Sequence, residues 1–273
     1  ALTVERKSMA AWGRLRAGAA VFVTSIVVAG AAVFVGAPAA AAEDPLPSPP
    51  PLLQRDDSVV TGDPLPTVQI DNGYVWSQVT IGSTVYAAGQ FANARAALAA
   101  PGTSLTPRQN ILAFDINTGA LKSFAPSVNG MIRAVAASPD GSRIYIGGAF
   151  NNVNGQSRWN IAALDAVTGQ LVPGFNPSIG GSGVYALAVD GDSVYVGGLF
   201  TQANGTARTN VAAFNTANGA LRTGWDTQLD QQVDAMVLDP DGQRVIVGGR
   251  FSQADGDGTW RGMFAADAVT GDV

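Results

Sequence analysis

Short apolar runs of strand-forming residues recur along the chain from about residue 67 onward, and a pair of glycines follows each run. The runs with their glycines are Ile144-Tyr145-Ile146-Gly147-Gly148, Val194-Tyr195-Val196-Gly197-Gly198 and Val245-Ile246-Val247-Gly248-Gly249. Phe150, Phe200 and Phe251 come next, at intervals of fifty and fifty-one residues. This period predicts a repeat protein of four units, about 67–124, 125–175, 176–226 and 227–273, in which the recurring Tyr and Phe side chains form the core.

Each repeat is predicted to contain strands and tight turns only. In the second repeat the strands are predicted at residues 132–136, 143–147, 160–164 and 171–175. Turns at Pro139-Asp140-Gly141, Asn154-Gly155 and 165–169 separate them, because Asn and Gly tolerate the positive φ that a two-residue hairpin needs. Four antiparallel strands per repeat predict an all-β fold, a β-propeller of four-stranded blades. The alternative, a solenoid of parallel strands, carries one strand per coil and does not account for three turns in each repeat.

Residues 1–42 have the pattern of a signal peptide. Arg14 and Arg16 precede an apolar run, 17–36, and small residues follow it as far as Ala42, which predicts export with cleavage after Ala42. The run is also long enough to cross a bilayer, so an uncleaved membrane anchor is the alternative. The proline-rich residues 43–66 predict a stiff, extended linker. We therefore expect a secreted or cell-surface protein.

The composition excludes several classes of function. Histidine and cysteine are both absent, which removes Ser-His-Asp and Cys-His nucleophiles, disulfides and the usual zinc ligands. The chain has 16 basic and 21 acidic residues, and an acidic surface argues against nucleic acid or an anionic membrane as the partner.

Two repeats depart from the pattern. The first carries about nine additional residues in its second connection, 92–107, and strand order places this insertion at the same end as the Asn154-Gly155 hairpin. In the fourth repeat Trp260 stands where the others have arginine, and Arg261 falls one residue late. The ring is expected to close either through residues 66–71, as the fourth strand of the last repeat, or through further repeats in a longer chain of about six to eight blades.

Recurring polar residues are candidates for chemistry, and each also has a structural interpretation. Asp115, Asp165 and Asp267, with Asn215 in the third repeat, share one position; a catalytic pair needs two different environments, so an Asx turn is favoured. Arg108, Arg158 and Arg208 are expected to bind carbonyls of a neighbouring blade rather than an anion.

Non-recurring residues are the other candidates. Asp255 and Asp257 resemble part of a calcium loop, but the remaining ligands are missing, so a polar hairpin is favoured. The tryptophans outside the repeat pattern are candidates for a sugar or peptide platform, with partial burial as the simpler interpretation; they are Trp76, Trp159, Trp225 and Trp260.

These motifs resemble the delta-60 repeat of bacterial secreted and surface proteins, and the high Ala and Arg content suits an actinobacterial source. The resemblance covers residues 67–273 and implies a propeller-like extracellular module without a defined general activity. The motifs that carry it are Ser138-Pro139-Asp140-Gly141, Gly147-Gly148-Ala149-Phe150, Val153-Asn154-Gly155, Arg158, Asn160-Ile161-Ala162-Ala163-Leu164-Asp165 and Phe175-Asn176-Pro177. The insertion in the first repeat and Trp260 in the fourth depart from this pattern.

We predict a non-enzymatic binding module that contacts its partner through the insertion, because scaffold residues repeat while this loop does not, and binding residues concentrate on loops. The expected partner is an extracellular protein or a glycan, with no nucleic acid and with membrane contact only through an uncleaved N-terminal segment. No catalytic, cofactor-binding or metal-binding residue is predicted. The alternatives are an extracellular glycan-active enzyme using Asp230, Asp255 or Asp257, and a spacer domain of a larger surface protein.

Overall fold

The computed structural model describes residues 67–273, and every regular element in this range is a β-strand. The predicted signal peptide, its cleavage site after Ala42 and the linker lie outside the described residues. Within residues 67–273 no helix is long and apolar enough to span a membrane. The strands are β1 (Gln69–Ile70), β2 (Gly73–Ile81), β3 (Thr84–Phe91), β4 (Asn93–Arg95), β5 (Leu105–Pro107), β6 (Ile111–Asp115), β7 (Met131–Ala137), β8 (Arg143–Ala149), β9 (Asn152–Val153), β10 (Gln156–Ser157), β11 (Ile161–Asp165), β12 (Ile179–Val189), β13 (Ser193–Ala203), β14 (Thr206–Ala207), β15 (Val211–Asn215), β16 (Val233–Leu238), β17 (Arg244–Gly249) and β18 (Met263–Asp267).

Each repeat forms one antiparallel sheet of three long strands. The sheets are β2-β3-β6, β7-β8-β11, β12-β13-β15 and β16-β17-β18, with the second strand in the centre. The first strands lie side by side, since β2 contacts β7, β7 contacts β12 and β12 contacts β16. They are therefore the inner strands of consecutive blades.

The fourth strand of the predicted blade is only a single bridge. In the second repeat, where residues 171–175 were predicted as a strand, Leu171 bridges to Leu164 and the chain then leaves the sheet. The amide of Val172 donates to Ala163 O, but the amide of Phe175 donates back to Val172 O at 3.1 Å, which closes a turn. The sequence Pro173-Gly174 at this point favours a turn over an extended strand.

Three of the four core clusters form between consecutive repeats, and the fourth lies within the first repeat. Tyr145, Ile161 and Phe175 of the second repeat are buried together with Val194, Val196 and Phe214 of the third. A corresponding cluster joins the first repeat to the second, and another joins the third to the fourth. The recurring Phe150, Phe200 and Phe251 are buried as predicted. Apolar burial on these sheet faces therefore stabilises the stacking of the blades.

The glycine pairs provide room on two sides of the central strand. A Cβ on Gly197 would lie 2.3 Å from Val233 Cγ1 in the next repeat, and a Cβ on Gly198 would lie 2.2 Å from Gly183 O on the adjacent inner strand. Both distances are far below van der Waals contact. The first glycine thus allows the next blade to approach, and the second allows the inner strand to cross closely.

In the fourth repeat, the sheet face that corresponds to the face by which the third repeat packs on the fourth is exposed. Val237 and Met263 are 56% and 67% exposed, whereas Ala188 and Val211, at the same positions in the third repeat, are buried against the fourth. One interpretation of the sequence expected residues 66–71 to complete the sheet of the last repeat. In the structure Gln69–Ile70 do not pair with that sheet. They pair with Asn93–Arg95 of the first repeat, because the apolar Ile70 and the buried Ala94 pack as Val128 and Val153 do in the second repeat.

Candidate functional site

The connections of each sheet lie at two ends, which we call the hairpin end and the turn end. The hairpin end carries the connections between second and third strands, and the turn end carries the connections between first and second strands. The hairpin-end connections are residues 92–107, 152–157, 202–207 and 254–257. The insertion of the first repeat occupies this end, as strand order predicted.

The insertion is an ordered hairpin extension. Its strands Asn93–Arg95 and Leu105–Pro107 pair directly, with Arg95 opposite Leu105. Asp71 anchors the tip, because its Oδ1 accepts a hydrogen bond from the amide of Gly102 at 2.8 Å and lies 3.9 Å from Arg95 Nε. Leu98, at the tip, is 82% exposed. The extension therefore presents an apolar side chain to solvent on a fixed support.

The shorter hairpins have the turn that the sequence predicted. Asn154 and Gly155 both adopt positive φ, at 50° and 77°, and Asn154 Oδ1 accepts from the amide of Ser127 at 2.8 Å. Asp255 takes the place of this asparagine in the fourth repeat, with φ of 49° and an accepted hydrogen bond from the amide of Gln228. Its carboxylate is thus used in the hairpin. No group of three acidic side chains that could hold a metal ion occurs within residues 67–273.

Asparagine, rather than arginine, connects neighbouring repeats at the hairpin end. Asn160 Nδ2 donates to Ile179 O at 2.8 Å, while its Oδ1 accepts from the amide of Phe150. Asn110 and Asn210 make the same two bonds in their repeats.

The arginine prediction was partly wrong. Arg108 and Arg208 do bind carbonyls, but these belong to Lys122 and Thr223 of their own repeats. Burial lowers the pKa of Arg108 and Arg158 from the usual value. The guanidinium therefore fastens the end of its own sheet, and the adjacent asparagine reaches the next one.

The repeated carboxylates form Asx turns. Asp165 Oδ1 accepts from the amides of Val167 and Thr168 at 3.0 and 2.7 Å, and Asp115 and Asp267 accept in the same way. Asn215 accepts from the amide of Ala217 alone. These bonds favour the ionised form, so the Thr168 amide in particular holds the pKa of Asp165 below its usual value.

Two of the three candidate carboxylates for glycoside hydrolysis, Asp230 and Asp257, also have lowered pKa values. The Ser252 hydroxyl lowers the pKa of Asp230, and the Thr259 amide lowers that of Asp257. A general acid for glycoside hydrolysis needs a raised pKa. These two groups lack that property.

The four tryptophans have different environments. Trp225 is buried and packs on Tyr195, and its indole donates to Asp267 O of the next repeat at 3.0 Å, so it is a core residue and not a platform. Trp260 is 37% exposed beside the hairpin of the fourth repeat, and Trp76 and Trp159 are each 53% exposed. Trp76, Trp159 and Trp260 are therefore exposed, and only Trp225 of the four is buried.

One grouping could not be seen in the sequence. Each inner strand has a β-bulge at the same position, opposite the glycine pair or, in the first repeat, opposite Ala88-Gly89. We call the four residues at these bulges the bulge row. Its members are Trp76, Arg133, Tyr185 and Asp234. Arg133 lies between the two aromatic members, with its guanidinium carbon 5.5 Å from the Trp76 ring centre and 4.6 Å from that of Tyr185. The row thus joins three repeats through cation–π contacts.

The aromatic surface continues on β2. Tyr74, which is 68% exposed, has its ring centre 6.1 Å from that of Trp76. A cavity of about 370 Å³ beside Tyr74 is lined by Asn72, Gln90 and Asn110. The only signal for this site in the sequence was that Trp76 does not recur.

Consecutive antiparallel sheets whose first strands lie side by side are the arrangement expected of a β-propeller-type repeat. A protein-family model described as a domain of unknown function (DUF5122) beta-propeller matches residues 139–171. This match supports the β-propeller family over the turn, second strand and third strand of the second repeat.

Among solved structures, the crystal structure of the computationally designed Ika4 protein is similar, with 15% identity and a TM-score of 0.46 over 76% of this chain and 99% of that one. The crystal structure of the RRP9 WD40 repeats matches with 13% identity and a TM-score of 0.45, over 75% of this chain and 56% of that one. No curated protein sequence matches the chain significantly.

Proposed function

We propose that the protein is a secreted or cell-surface, non-enzymatic interaction module, and that the hairpin extension of the first repeat binds its partner. The observation that carries this proposal is the exposed Leu98 on an extension that Asp71 holds in place. An exposed apolar residue on an ordered support is a feature of protein-binding loops, because ordering costs little on association.

Two further observations support the proposal. The apolar run and small-residue site of residues 1–42 have the pattern of an export signal, and the repeats resemble the delta-60 repeat of bacterial surface and secreted proteins. The lowered pKa values of Asp115, Asp165, Asp230, Asp257 and Asp267 favour a scaffold role for these carboxylates over acid catalysis.

The binding role is tested with a variant that shortens the extension without disturbing the sheet. Residues 96–104 are replaced by Asn-Gly, since Arg95 and Leu105 are directly paired and two residues close such a pair in the second repeat. Peptides selected from a random displayed library on the full-length protein should lose binding to this variant. Equal binding to both proteins, with unchanged thermal unfolding, would overturn the assignment.

Localisation is tested separately. The full-length chain is expressed in a bacterial host with an intact export pathway, and the N-terminus of the exported protein is sequenced. We expect it to begin at Glu43. Retention of the whole chain in the cytoplasm would contradict the extracellular role.

A further inference from the structure

We propose that the bulge row and Tyr74 form a binding site for an acidic oligosaccharide, one that carries carboxylate groups on its sugar rings. The residues proposed to contact the ligand, Tyr74, Trp76, Arg133 and Tyr185, lie on the inner strands of the first three repeats. The site is separate from the hairpin extension, so it goes beyond the interaction role proposed above.

Exposed aromatic side chains provide the stacking surface. Tyr74 and Trp76 are 68% and 53% exposed, and their ring planes meet at 45°. Aromatic rings have a large apolar face with a negative quadrupole, which suits the C–H faces of a sugar ring. Because the two rings are separate and tilted, consecutive sugar units of one chain fit them better than one flat aromatic ligand does.

Arg133 provides the charge. Its guanidinium is already held between Trp76 and Tyr185, yet none of its nitrogens hydrogen-bonds to any residue in 67–273. A buried Nε without a partner is shared by Arg158 and Arg208, so the unpaired terminal nitrogens are what distinguish Arg133. By contrast, Arg143, Arg158 and Arg208 all donate to backbone carbonyls. A guanidinium that is fixed by stacking and has unused donors is prepared to bind a carboxylate in a bidentate manner.

The neighbouring charges do not satisfy Arg133. Asp234, the last member of the bulge row, is paired with Arg250 at 3.2 Å and also accepts a hydrogen bond from Gln232. Its carboxylate is therefore occupied within the fourth repeat. An external anion remains the matching partner for Arg133.

Amide groups beside the aromatic rings complete the site. Gln90 lies directly opposite Tyr74 in the β2–β3 pair, and it lines the cavity of about 370 Å³ with Asn72 and Asn110. Asn72 and Gln90 bring side-chain amides to this cavity, and such amides both donate to and accept from sugar hydroxyls, whereas the Asn110 amide is already bonded to Phe91 and Val128. The site thus offers stacking, charge pairing and hydroxyl recognition.

Other ligand classes fit less well. A quaternary ammonium ligand would need the ring faces that Arg133 already covers. Single-stranded nucleic acid needs a track of several cations along its backbone, whereas the bulge row contains one arginine and one aspartate. The acidic saccharide uses both the free donors and the free ring faces.

The test measures binding of the full-length protein to defined probes by calorimetry. The acidic probes are hexasaccharides of galacturonate, mannuronate and hyaluronan, and the neutral probe is cellohexaose. We expect at least one acidic probe to bind, and the neutral probe to bind at least about tenfold more weakly, since a charge-assisted bidentate pair is lost. Failure of all three acidic probes to bind at millimolar concentration, or equal binding of the neutral one, would refute the proposal.

Four variants test the location of the site. Trp76→Ala and Arg133→Gln should each weaken the acidic probe at least about fivefold, as truncation of a central contact does. Trp159→Ala is the matched control, because Trp159 has the same 53% exposure and lies outside the bulge row; it should leave the affinity unchanged. Unfolding temperatures of the variants are measured in parallel. Arg133→Lys keeps the positive charge but lacks the planar guanidinium, so it should recover only part of the affinity that Arg133→Gln loses.

The hairpin variant separates this inference from the interaction proposal. Replacement of residues 96–104 by Asn-Gly should leave saccharide binding intact while peptide binding is lost. Loss of saccharide binding in the hairpin variant, with Trp76→Ala unaffected, would move the site to the extension and overturn the assignment to the bulge row.

Discussion

Asn160 Nδ2 donates a hydrogen bond of 2.8 Å to the carbonyl of Ile179, which lies in the next repeat. The same asparagine adopts a φ of 64° and accepts from the amide of Phe150. Asn160 therefore has three roles. Its positive φ turns the backbone into the third strand, its side-chain oxygen accepts from an amide of its own repeat, and its side-chain nitrogen donates to a carbonyl of the next repeat. This combination explains why asparagine recurs in three repeats.

Replacement of Asn160 by glycine should destabilise the protein by about 1–3 kcal/mol, because glycine keeps the positive φ but leaves a buried amide and a buried carbonyl unsatisfied. Chemical denaturation measures the change. Asn117→Gly, at an exposed turn position, is the control and should stay within about 0.5 kcal/mol of wild type. A similar stability for both variants would disprove the role of the side chain.

The two glycines Gly197 and Gly248 should respond oppositely to alanine. A Cβ on Gly197 would lie 2.3 Å from Val233 Cγ1, whereas one on Gly248 would meet nothing closer than 3.9 Å. We expect Gly197→Ala to cost about 1–3 kcal/mol through overpacking. Gly248→Ala should be neutral or stabilise by up to about 1 kcal/mol, because alanine loses less backbone entropy than glycine. Equal effects in thermal unfolding would show that the inter-repeat contact is looser than described.

Asp140 should contribute to stability in a defined acid range. The hydroxyl of Ser138, followed by the amide and hydroxyl of Ser142, lowers the pKa of Asp140 to about 2. Since this folded-state pKa lies below the unfolded value of about 3.9, the stabilisation is complete above about pH 4 and is lost as the pH falls toward about 2.

The measurement is the difference in unfolding temperature between wild type and Asp140→Asn. This difference should shrink progressively as the pH falls from 4 through 2, because Asp140 becomes protonated and so loses the charge that asparagine lacks. Ser138→Ala removes the largest cause of the lowered pKa of Asp140, so it should narrow the pH range over which the difference in unfolding temperature changes. A difference that does not vary with pH would contradict the assignment.

Tyr195 should couple stability to pH at the alkaline end. Burial raises its pKa to about 12, and its hydroxyl donates to Ala268 O of the next repeat at 2.7 Å. Because the folded-state pKa exceeds the unfolded value of about 10, the stabilisation is present below pH 10 and is lost as the pH rises toward 12.

The Tyr195→Phe variant should lose about 1–2 kcal/mol at neutral pH, as removal of a buried hydrogen bond does. It should also lack the last component of the tyrosinate absorbance titration. Tyr74→Phe, at an exposed ring, serves as the comparison and should leave stability unchanged. Persistence of the high-pH component in Tyr195→Phe would assign it to another tyrosine.

The parts of the fold that depend on local conformation were predictable from the sequence. The Asn154-Gly155 hairpin and the Asp165 turn follow from residues that tolerate a given φ or cap their own backbone, and both form as expected. The fourth strand was overestimated, because an apolar residue such as Leu171 gives the same signal whether it makes a full ladder or one bridge.

Contacts between repeats were less accessible to prediction. Asn160 and Arg158 recur together, so periodicity alone could not tell which of them reaches the next sheet. The bulge row was hidden for a different reason. The row contains two aromatic residues, Trp76 and Tyr185, and two of opposite charge, Arg133 and Asp234. Their equivalence is visible only once the bulges fix the register of each inner strand.

Each contact between two of the described repeats has a side-chain donor at its turn end, which is a tyrosine at the first and third contacts and an arginine at the second. Tyr86 donates to Ala166 O, Arg143 to Thr216 O and Tyr195 to Ala268 O, always to the carbonyl after the Asx residue. The acceptor is a main-chain group, so it survives any substitution at that site. Duplication of a single repeat would therefore copy both the hydrogen-bond donor and a main-chain acceptor that no substitution removes. The donor side chain could then change independently in each copy.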